Sequence, residues 1–192
     1  MVKFKKEILY PLSTLNLLIL IMKITRNLLL ILLFTTYSCE RDDLCDENTP
    51  TTPRMIVEFR DLIISDNLKN VTGLRVEDFE DATRVLSGYN NVTEDQMVLP
   101  LKTDIDNMET GITSFRVYKN YGDSALENND IITIEYSTKE IYVSRACGYK
   151  TIFENVEIII ENDGDNWMEF AEPENDNQSV INEDEIHFTI HH

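Results

Sequence analysis

The chain has 192 residues, with 17 basic and 35 acidic side chains and a formal net charge of −18. This length predicts one domain plus any targeting sequence. From Cys39 onward the chain holds 12 basic and 34 acidic residues, a net charge of −22. Phosphate backbones are bound by clusters of Lys and Arg, so this composition speaks against nucleic acid as a partner. Strong negative charge favours solubility.

The N-terminus contains two apolar blocks, Leu15 to Met22 and Leu28 to Phe34, separated by two basic residues. Neither block reaches the ~18–20 continuous apolar residues of a membrane span. Read from Met22, the order is basic MKITRN, apolar LLLILLF and then TTYSC, which is typical of a secretory signal. We predict that residues 1–21 are a misassigned start and that residues 22–38 are a lipoprotein signal peptide. An unusually long signal or an anchor helix is the alternative.

The signal ends at Cys39, which we predict to be the lipid-bearing N-terminus of the mature chain. Ser38 is suitably small, but Thr36 stands where bacterial lipoprotein signals usually have Leu. An ordinary cleaved signal with a free Cys39 is the alternative. A thioether-linked diacylglycerol plus an amide-linked chain exceeds the two-signal threshold for stable anchoring. The expected location is the outer membrane, lipid-anchored, with the domain periplasmic or surface-exposed.

The cysteine count is odd, with Cys39, Cys45 and Cys147. In an oxidising compartment an odd thiol needs an explanation, and lipidation of Cys39 supplies one because it leaves a single pair. We therefore predict a Cys45–Cys147 disulfide that ties the start of the domain to a central strand. Two buried thiols and a metal site are the alternatives.

Residues 39–53 are acidic and contain two prolines, which predicts an extended tether. The remainder, residues 54–192, alternates apolar and polar side chains with the two-residue period of half-buried strands. The pattern is densest from Ile131 to Ile160, where we predict a turn at 137–139 and a break or bulge at Gly148. Weaker strands are expected near residues 73–79 and 97–101, the second at a sheet edge because of Pro100. The polar stretch 82–91 reads as turns.

Seven to eight short strands without a convincing helix of three turns predict an all-β fold. The expected architecture is an antiparallel β-sandwich, immunoglobulin-like or related.

The histidines near the end of the sequence raise a metal hypothesis. His187 and His191 share one face of a strand, but at ~3.3 Å per residue they lie about 13 Å apart. One ion cannot bridge that distance, and we predict exposed terminal histidines, with His192 on the opposite face.

The segment 161–166, ENDGDN, resembles a calcium loop. Alignment on Gly164 puts Ile159 and Phe170 at the first and twelfth ligand positions, which excludes an EF-hand. A hairpin turn is predicted, with a weak irregular Ca²⁺ site in the acidic loops as the alternative. Arg145 is predicted on the core face beside Cys147, either paired with a buried carboxylate or anchoring a ligand. No metal and no cofactor is predicted.

Nucleophilic catalysis needs a nucleophile, a base and an orienting group, and the sequence offers no recognisable set. We therefore predict no enzymatic activity. A carboxylate-based hydrolase is the alternative, since the chain is rich in acidic residues.

Four segments carry a resemblance: CERDDLC at 39–45, TPTTPRMIVEFRD at 49–61, MVLPL at 97–101 and IEYSTKEIYVSRACGYKTIFEN at 134–155. Together they resemble a family of small Bacteroidota lipoproteins of unknown function. The YVSRACG run is the most specific part, and the three cysteines fall where that family's cysteines fall. The resemblance implies a location and no activity.

The expected function is a non-enzymatic cell-envelope binding module held to the membrane by its N-terminal lipid. The expected partner is an envelope protein or an extracellular ligand. A structural or assembly accessory of an outer-membrane complex is the alternative. An exposed row of aromatic side chains would favour binding of a ligand. An uncovered apolar patch would favour a protein partner, and two carboxylates that converge in a cleft would favour an enzyme.

Overall fold

A computed structural model describes residues 12–35, 44–46, 49, 51–104 and 110–192. The chain divides into two compact units, Met1–Leu44 and Cys45–His192. Cys39, the predicted lipidation site, lies outside the described residues, as does most of the predicted tether before residue 51.

In the first unit, the described residues form one helix, α1, at Leu12–Thr35. It joins the two apolar blocks into a single element and lies before residues 54–192, the region for which no helix of three turns was predicted. Lys23 and Arg26 do not interrupt it, since both residue types are good helix formers. Among the described residues, no helix has the length and hydropathy needed to cross a bilayer.

The second unit consists of strands. The described residues form nine: β1 Met55–Arg60, β2 Val71–Asp78, β3 Val85–Glu94, β4 Gln96–Leu99, β5 Gly111–Lys119, β6 Asn128–Ser144, β7 Gly148–Ile160, β8 Phe170–Pro173 and β9 Phe188–His191. They make a four-stranded sheet in the order β4-β1-β9-β8 and a five-stranded sheet in the order β3-β2-β5-β6-β7. The all-β sandwich is confirmed, with nine strands rather than seven or eight.

The five-stranded sheet is antiparallel throughout. Its β6 and β7 form a hairpin of 17 and 13 residues. β6 continues through the turn predicted at 137–139, and a register shift between Glu135 and Ser137 takes its place. The extra residue of this bulge lies on β7, where Asn155 has φ +53°. Continuous pairing with β7 therefore overrides the turn-forming residues 137–139 of β6.

The four-stranded sheet is mixed, because β9 runs parallel to β1 and antiparallel to β8. β4 lies at an edge, as Pro100 immediately after it predicts. β9 is inserted between β1 and β8, and all four of its residues are buried. An interior strand covered on both faces loses the polar-out alternation of a half-buried one.

One hydrophobic core joins the two sheets. Met55, Val57 and Phe59 from β1 meet Ile132 and Ile134 from β6, and all five side chains are fully buried. These residues occupy alternate positions of their strands, as the two-residue period requires. The polar stretch 82–91, expected as turns, instead contributes β3 at the edge of the larger sheet.

Candidate functional site

Apolar side chains are exposed on the loop that follows β1, residues 61–69, which we call the apolar loop. Ile63 is 92% exposed and Ile64 57%, with Leu62 at 44% and Leu68 at 55%. Single exposed apolar residues are ordinary on protein surfaces. Four of them within seven consecutive residues form a patch of the kind that marks interaction sites.

The apolar loop is held in shape by its own first residue. The Asp61 carboxylate accepts hydrogen bonds from the backbone N–H groups of Ile63 and Ile64, at 2.8 and 2.9 Å. Its second oxygen is 3.0 Å from the Lys69 ammonium, and the Asp61 N–H donates to the Asn67 carbonyl at 2.9 Å. The loop is therefore closed at both ends, as in compact Ω-type loops.

These hydrogen bonds also fix the charge of Asp61. They lower the pKa of its carboxyl to about 2, the Ile64 N–H contributing most, followed by Lys69 and the Ile63 N–H. Asp61 is therefore ionised wherever the protein is folded near neutral pH.

Beneath the apolar loop lies an aromatic and basic layer around His192. Its imidazole packs edge-on against Phe59 and Trp167, with ring centroids 5.9 and 5.4 Å apart. Its Nδ1 lies 3.2 Å from the Lys119 ammonium and its Nε2 3.3 Å from the Lys69 carbonyl oxygen. The Leu62 N–H donates to the His192 carbonyl, so the loop rests directly on this layer.

The layer holds its histidine neutral. Burial lowers the pKa of His192 to about 4, and the nearby Lys119 and Lys69 charges act in the same direction. Burial, together with Lys69, also lowers the pKa of Lys119. A neutral imidazole can accept from Lys119 through Nδ1 while its Nε2–H donates to the Lys69 carbonyl, so the geometry and the lowered pKa agree.

The opposite end of the domain is formed by the turn between β6 and β7. We call residues 139–150 the hairpin tip. Cys147 in its turn is disulfide-bonded to Cys45, with Cα atoms 4.9 Å apart, so the predicted pair is confirmed. The pairing ties the start of the domain to a hairpin turn, however, and not to a central strand as expected.

The register of β6 separates the two ends. Asn128, at its start, pairs with Lys119, which contacts the layer below the apolar loop. Ser144, at its other end, lies in the hairpin tip. Sixteen residues at ~3.3 Å each place these points about 50 Å apart along the strand.

Comparison with known proteins gives one match. A model described as a family of unknown function, DUF6452, matches residues 73–192, more than half of the chain. The chain belongs to the DUF6452 family. No curated protein and no solved structure matches it.

The DUF6452 match begins at Gly73, within β2, and therefore includes Cys147 but not β1, the apolar loop or Cys45. The family carries no described activity, in agreement with the resemblance to a family of unknown function. What the domain does must be argued from its surfaces.

The DUF6452 segment includes all three histidines, and the prediction that they are exposed was wrong. His187, His191 and His192 are buried. His187 Nδ1 accepts the Ile56 N–H at 2.9 Å, and the His191 ring stacks on Phe170 at 4.5 Å. The histidines are buried because β9 is inserted between two other strands. A short alternation of polar and apolar residues in the sequence cannot reveal such an insertion.

Arg145 was predicted on the core face, and that prediction was also wrong: it is exposed in the turn of the hairpin tip. A buried carboxylate with a guanidinium partner is instead found on β2. Glu77 on β2 is 2.6 Å from Arg75 Nε and accepts from the Tyr118 hydroxyl at 3.2 Å. Arg75 and Glu77 lie on the face of β2 that points away from the core, and side chains of the neighbouring strands cover them. The alternation of the sequence alone would predict that both are exposed to solvent.

The segment 161–166 forms a turn with Asx-type hydrogen bonds such as Gly164 N–H to Asn162 Oδ1 at 3.0 Å. It is not the predicted hairpin turn, because β7 and β8 belong to different sheets. It carries the chain from β7 toward the other sheet. The chain after this turn is held in position by the buried Asp130, whose carboxylate accepts hydrogen bonds from the Trp167 and Met168 N–H groups at 3.0 and 2.7 Å. Burial raises the pKa of Asp130. Within the described ranges, no group of three or more His, Cys, Asp or Glu side chains is arranged to hold a metal ion.

Two open grooves accompany these surfaces. One, of about 550 Å³, runs between the edge strands β3 and β4 and includes Tyr89, Glu94 and Asp95. The other, of about 640 Å³, lies beside Lys150 and the Arg54–Glu183 ion pair, whose atoms are 2.6 Å apart. Among the described residues that line them, neither groove brings together an acid, a base and a nucleophile in contact. The apolar loop is therefore the strongest candidate site.

Proposed function

We propose that this protein is a lipid-anchored envelope protein that binds another protein through its apolar loop, without catalysing a reaction. The observation that carries the proposal is the exposure of Leu62, Ile63, Ile64 and Leu68 on a loop that Asp61 holds in place. The lipid anchor is proposed at Cys39, where a basic, apolar and small-residue signal ends.

The energetics of the loop favour a protein partner. Burying one Leu or Ile side chain contributes roughly 1.5–3 kcal/mol, so four of them provide a binding energy that the free domain leaves unused. Because the loop is closed by its own hydrogen bonds, little conformational entropy is lost on binding. Exposed apolar side chains and a loop that is already ordered are both expected of a protein-binding surface.

The charge of the domain indicates the kind of partner. Asp61 and Asp66 border the apolar side chains, and the part of the chain from Cys39 onward has a net charge of −22. A partner with an apolar pocket and a basic rim would complement both properties, and charge complementarity would speed association at low salt.

The anchor is tested in cells. We expect globomycin, which blocks cleavage of lipoprotein signals, to cause accumulation of the precursor, and the mature protein to remain with membranes until detergent is added. A mature protein that is released without detergent would refute the anchor.

The binding surface is tested with a photo-crosslinking residue placed at Ile63 in living cells. Ile112 is the matched control, an isoleucine 51% exposed on β5. We expect a discrete protein adduct from position 63 that is absent from position 112 and is lost when Ile64 is also changed to Ser. The same adducts from both positions, or none from position 63, would contradict the proposal.

A permanent assembly role is the second candidate, favoured by the same apolar loop. A binding module would release its partner on dilution, whereas an accessory would purify with the complex in fixed proportion. Quantifying the position-63 partner after extensive washing separates the two.

A further inference from the structure

The hairpin tip carries two exposed tyrosines that face each other. Tyr142 and Tyr149 are paired across β6 and β7, with ring centroids 5.4 Å apart in an edge-to-face arrangement. They are 55% and 65% exposed, the most exposed aromatic side chains of the part of the chain that the structure describes. Ile141 beside them is 36% exposed.

The disulfide limits how far the hairpin tip can lie from the proposed anchor. Cys147, in the turn of the tip, is bonded to Cys45, and Cys45 follows Cys39 by six residues. Six extended residues span at most ~20 Å. Acyl chains on Cys39 would therefore enter the bilayer within about 30 Å of the two tyrosines, counting the disulfide and the two residues between Tyr142 and the turn.

We propose that the hairpin tip is a membrane-contact site, with Tyr142 and Tyr149 in the headgroup layer of the bilayer that holds the anchor. The inference rests on the proposed lipidation of Cys39. The domain would then stand on its disulfide end, with the apolar loop about 50 Å away along β6 and free for a partner.

The chemistry of the pair fits a lipid headgroup layer. Tyrosine combines an apolar ring with a polar hydroxyl, and Tyr and Trp are enriched where bilayer and water meet. The charges are less decisive. The tip contains Lys139, Arg145 and Lys150 against Glu140, but the tether before Cys45 is acidic. The aromatic pair, placed within reach of the acyl chains, therefore favours lipid over a protein as the occupant.

The test uses the full-length lipoprotein, purified from envelopes in detergent and reconstituted into phosphatidylethanolamine–phosphatidylglycerol vesicles. A fraction of the lipid carries a nitroxide quencher on its headgroup. Tyr142→Trp places a fluorophore on the hairpin tip, and Ile63→Trp places the control on the apolar loop. The unsubstituted protein supplies the background of the buried Trp167. Tyr149→Trp replaces the first variant if that one does not fold, as judged by circular dichroism.

We expect the residue-142 fluorophore to be quenched at least about twofold more strongly than the residue-63 fluorophore, since only the first would lie in the headgroup layer. Equal quenching at the two positions would overturn the inference. A blue-shifted but unquenched residue-142 fluorophore would also overturn it, because another protein chain would then be the occupant.

Failure of the anchor is distinguishable from failure of the contact. Protein that does not float with the vesicles in a density gradient would refute the lipidation of Cys39, and with it the membrane contact that rests on the lipidation. Protein that floats with an unquenched fluorophore at residue 142 would refute the membrane contact alone.

Discussion

The two ends of the sandwich expose apolar surface in different ways. At the hairpin tip, aromatic rings with polar hydroxyls project from paired strands that a disulfide ties to the start of the domain. At the apolar loop, purely aliphatic side chains project from a loop whose Asp61 carboxylate accepts hydrogen bonds from the Ile63 and Ile64 N–H groups. Aromatic residues with a polar group suit a bilayer surface, whereas aliphatic side chains gain most from complete burial against a protein. This difference supports the proposal that the two ends contact separate partners.

The largest effect is expected from removing the covalent tie at the hairpin tip. The disulfide joins residues 102 positions apart, and the chain-entropy model gives about 4.7 kcal/mol for a loop of this length. We expect Cys45→Ser with Cys147→Ser to lower the free energy of unfolding by about that amount, measured by denaturant unfolding. Trp167, near the apolar loop, should keep its native emission spectrum before unfolding. A changed spectrum would show that the two ends are not independent.

The next effect concerns the strand that begins the DUF6452 match. Gly73 has φ +64°, and a Cβ there would lie 2.7 Å from the Tyr121 nitrogen and 2.8 Å from the Asn120 Cα. We expect Gly73→Ala to lower the free energy of unfolding by about 3 kcal/mol, combining left-handed strain with a backbone clash.

Gly88→Ala is the matched control for the glycine substitution. Its φ is +92°, but no atom lies within 4 Å of the added Cβ. It should cost only the conformational part, about 1–2 kcal/mol. Equal losses from both substitutions would show that the contact of β2 with residues 120 and 121 is unimportant.

Acid should weaken the layer beneath the apolar loop. The pKa of His192 is about 4 in the folded protein against an ordinary value near 6.5. Between these values the unfolded chain binds a proton that the folded chain does not. Stability is therefore lost as pH falls from about 6.5 to about 4, by about 3 kcal/mol from this residue.

His192→Gln should remove this part of the pH dependence, while the lowered pKa of the buried His187 leaves a remainder. Unfolding free energies measured from pH 7 to pH 4 check the prediction. The same slope in the variant and the parent protein would contradict the buried neutral state of His192.

The smallest effect on stability is expected at the apolar loop itself. Ile63 is 92% exposed, so Ile63→Ser should change the free energy of unfolding by less than about 0.5 kcal/mol. Loss of the position-63 crosslink when Ile64 is changed to Ser, together with unchanged stability of the Ile63→Ser protein, would separate binding from folding. A large loss of stability would show that the side chain packs within the domain and is not a contact surface.

The parts of the fold that could be predicted are those determined by local pattern. The alternation of Met55, Val57 and Phe59 indicated β1, Pro100 indicated an edge, and the cysteine count indicated the disulfide. The burial of the histidines in and beside β9 could not be predicted, because it depends on a parallel pairing of β9 with β1 across more than 120 residues of chain.

The apolar loop shows the same limit at the candidate site. Residues 61–72 lose the alternation of a strand, which indicates a loop. The residue types of Leu62, Ile63 and Ile64, however, are typical of a hydrophobic core. Their exposure follows from the hydrogen bonds of Asp61, a tertiary arrangement that no periodicity encodes. The polar strand β3 was missed for a related reason, since its pairing with β2 overrides turn-forming residues.

The mass of the N-terminal peptide of the mature protein tests the central proposal most directly. We predict a peptide that begins at Cys39 and carries a diacylglycerol thioether and an amide-linked acyl chain. A mature chain with an unmodified Cys39, or one that retains residues 22–38, would contradict the anchor and the orientation that follows from it.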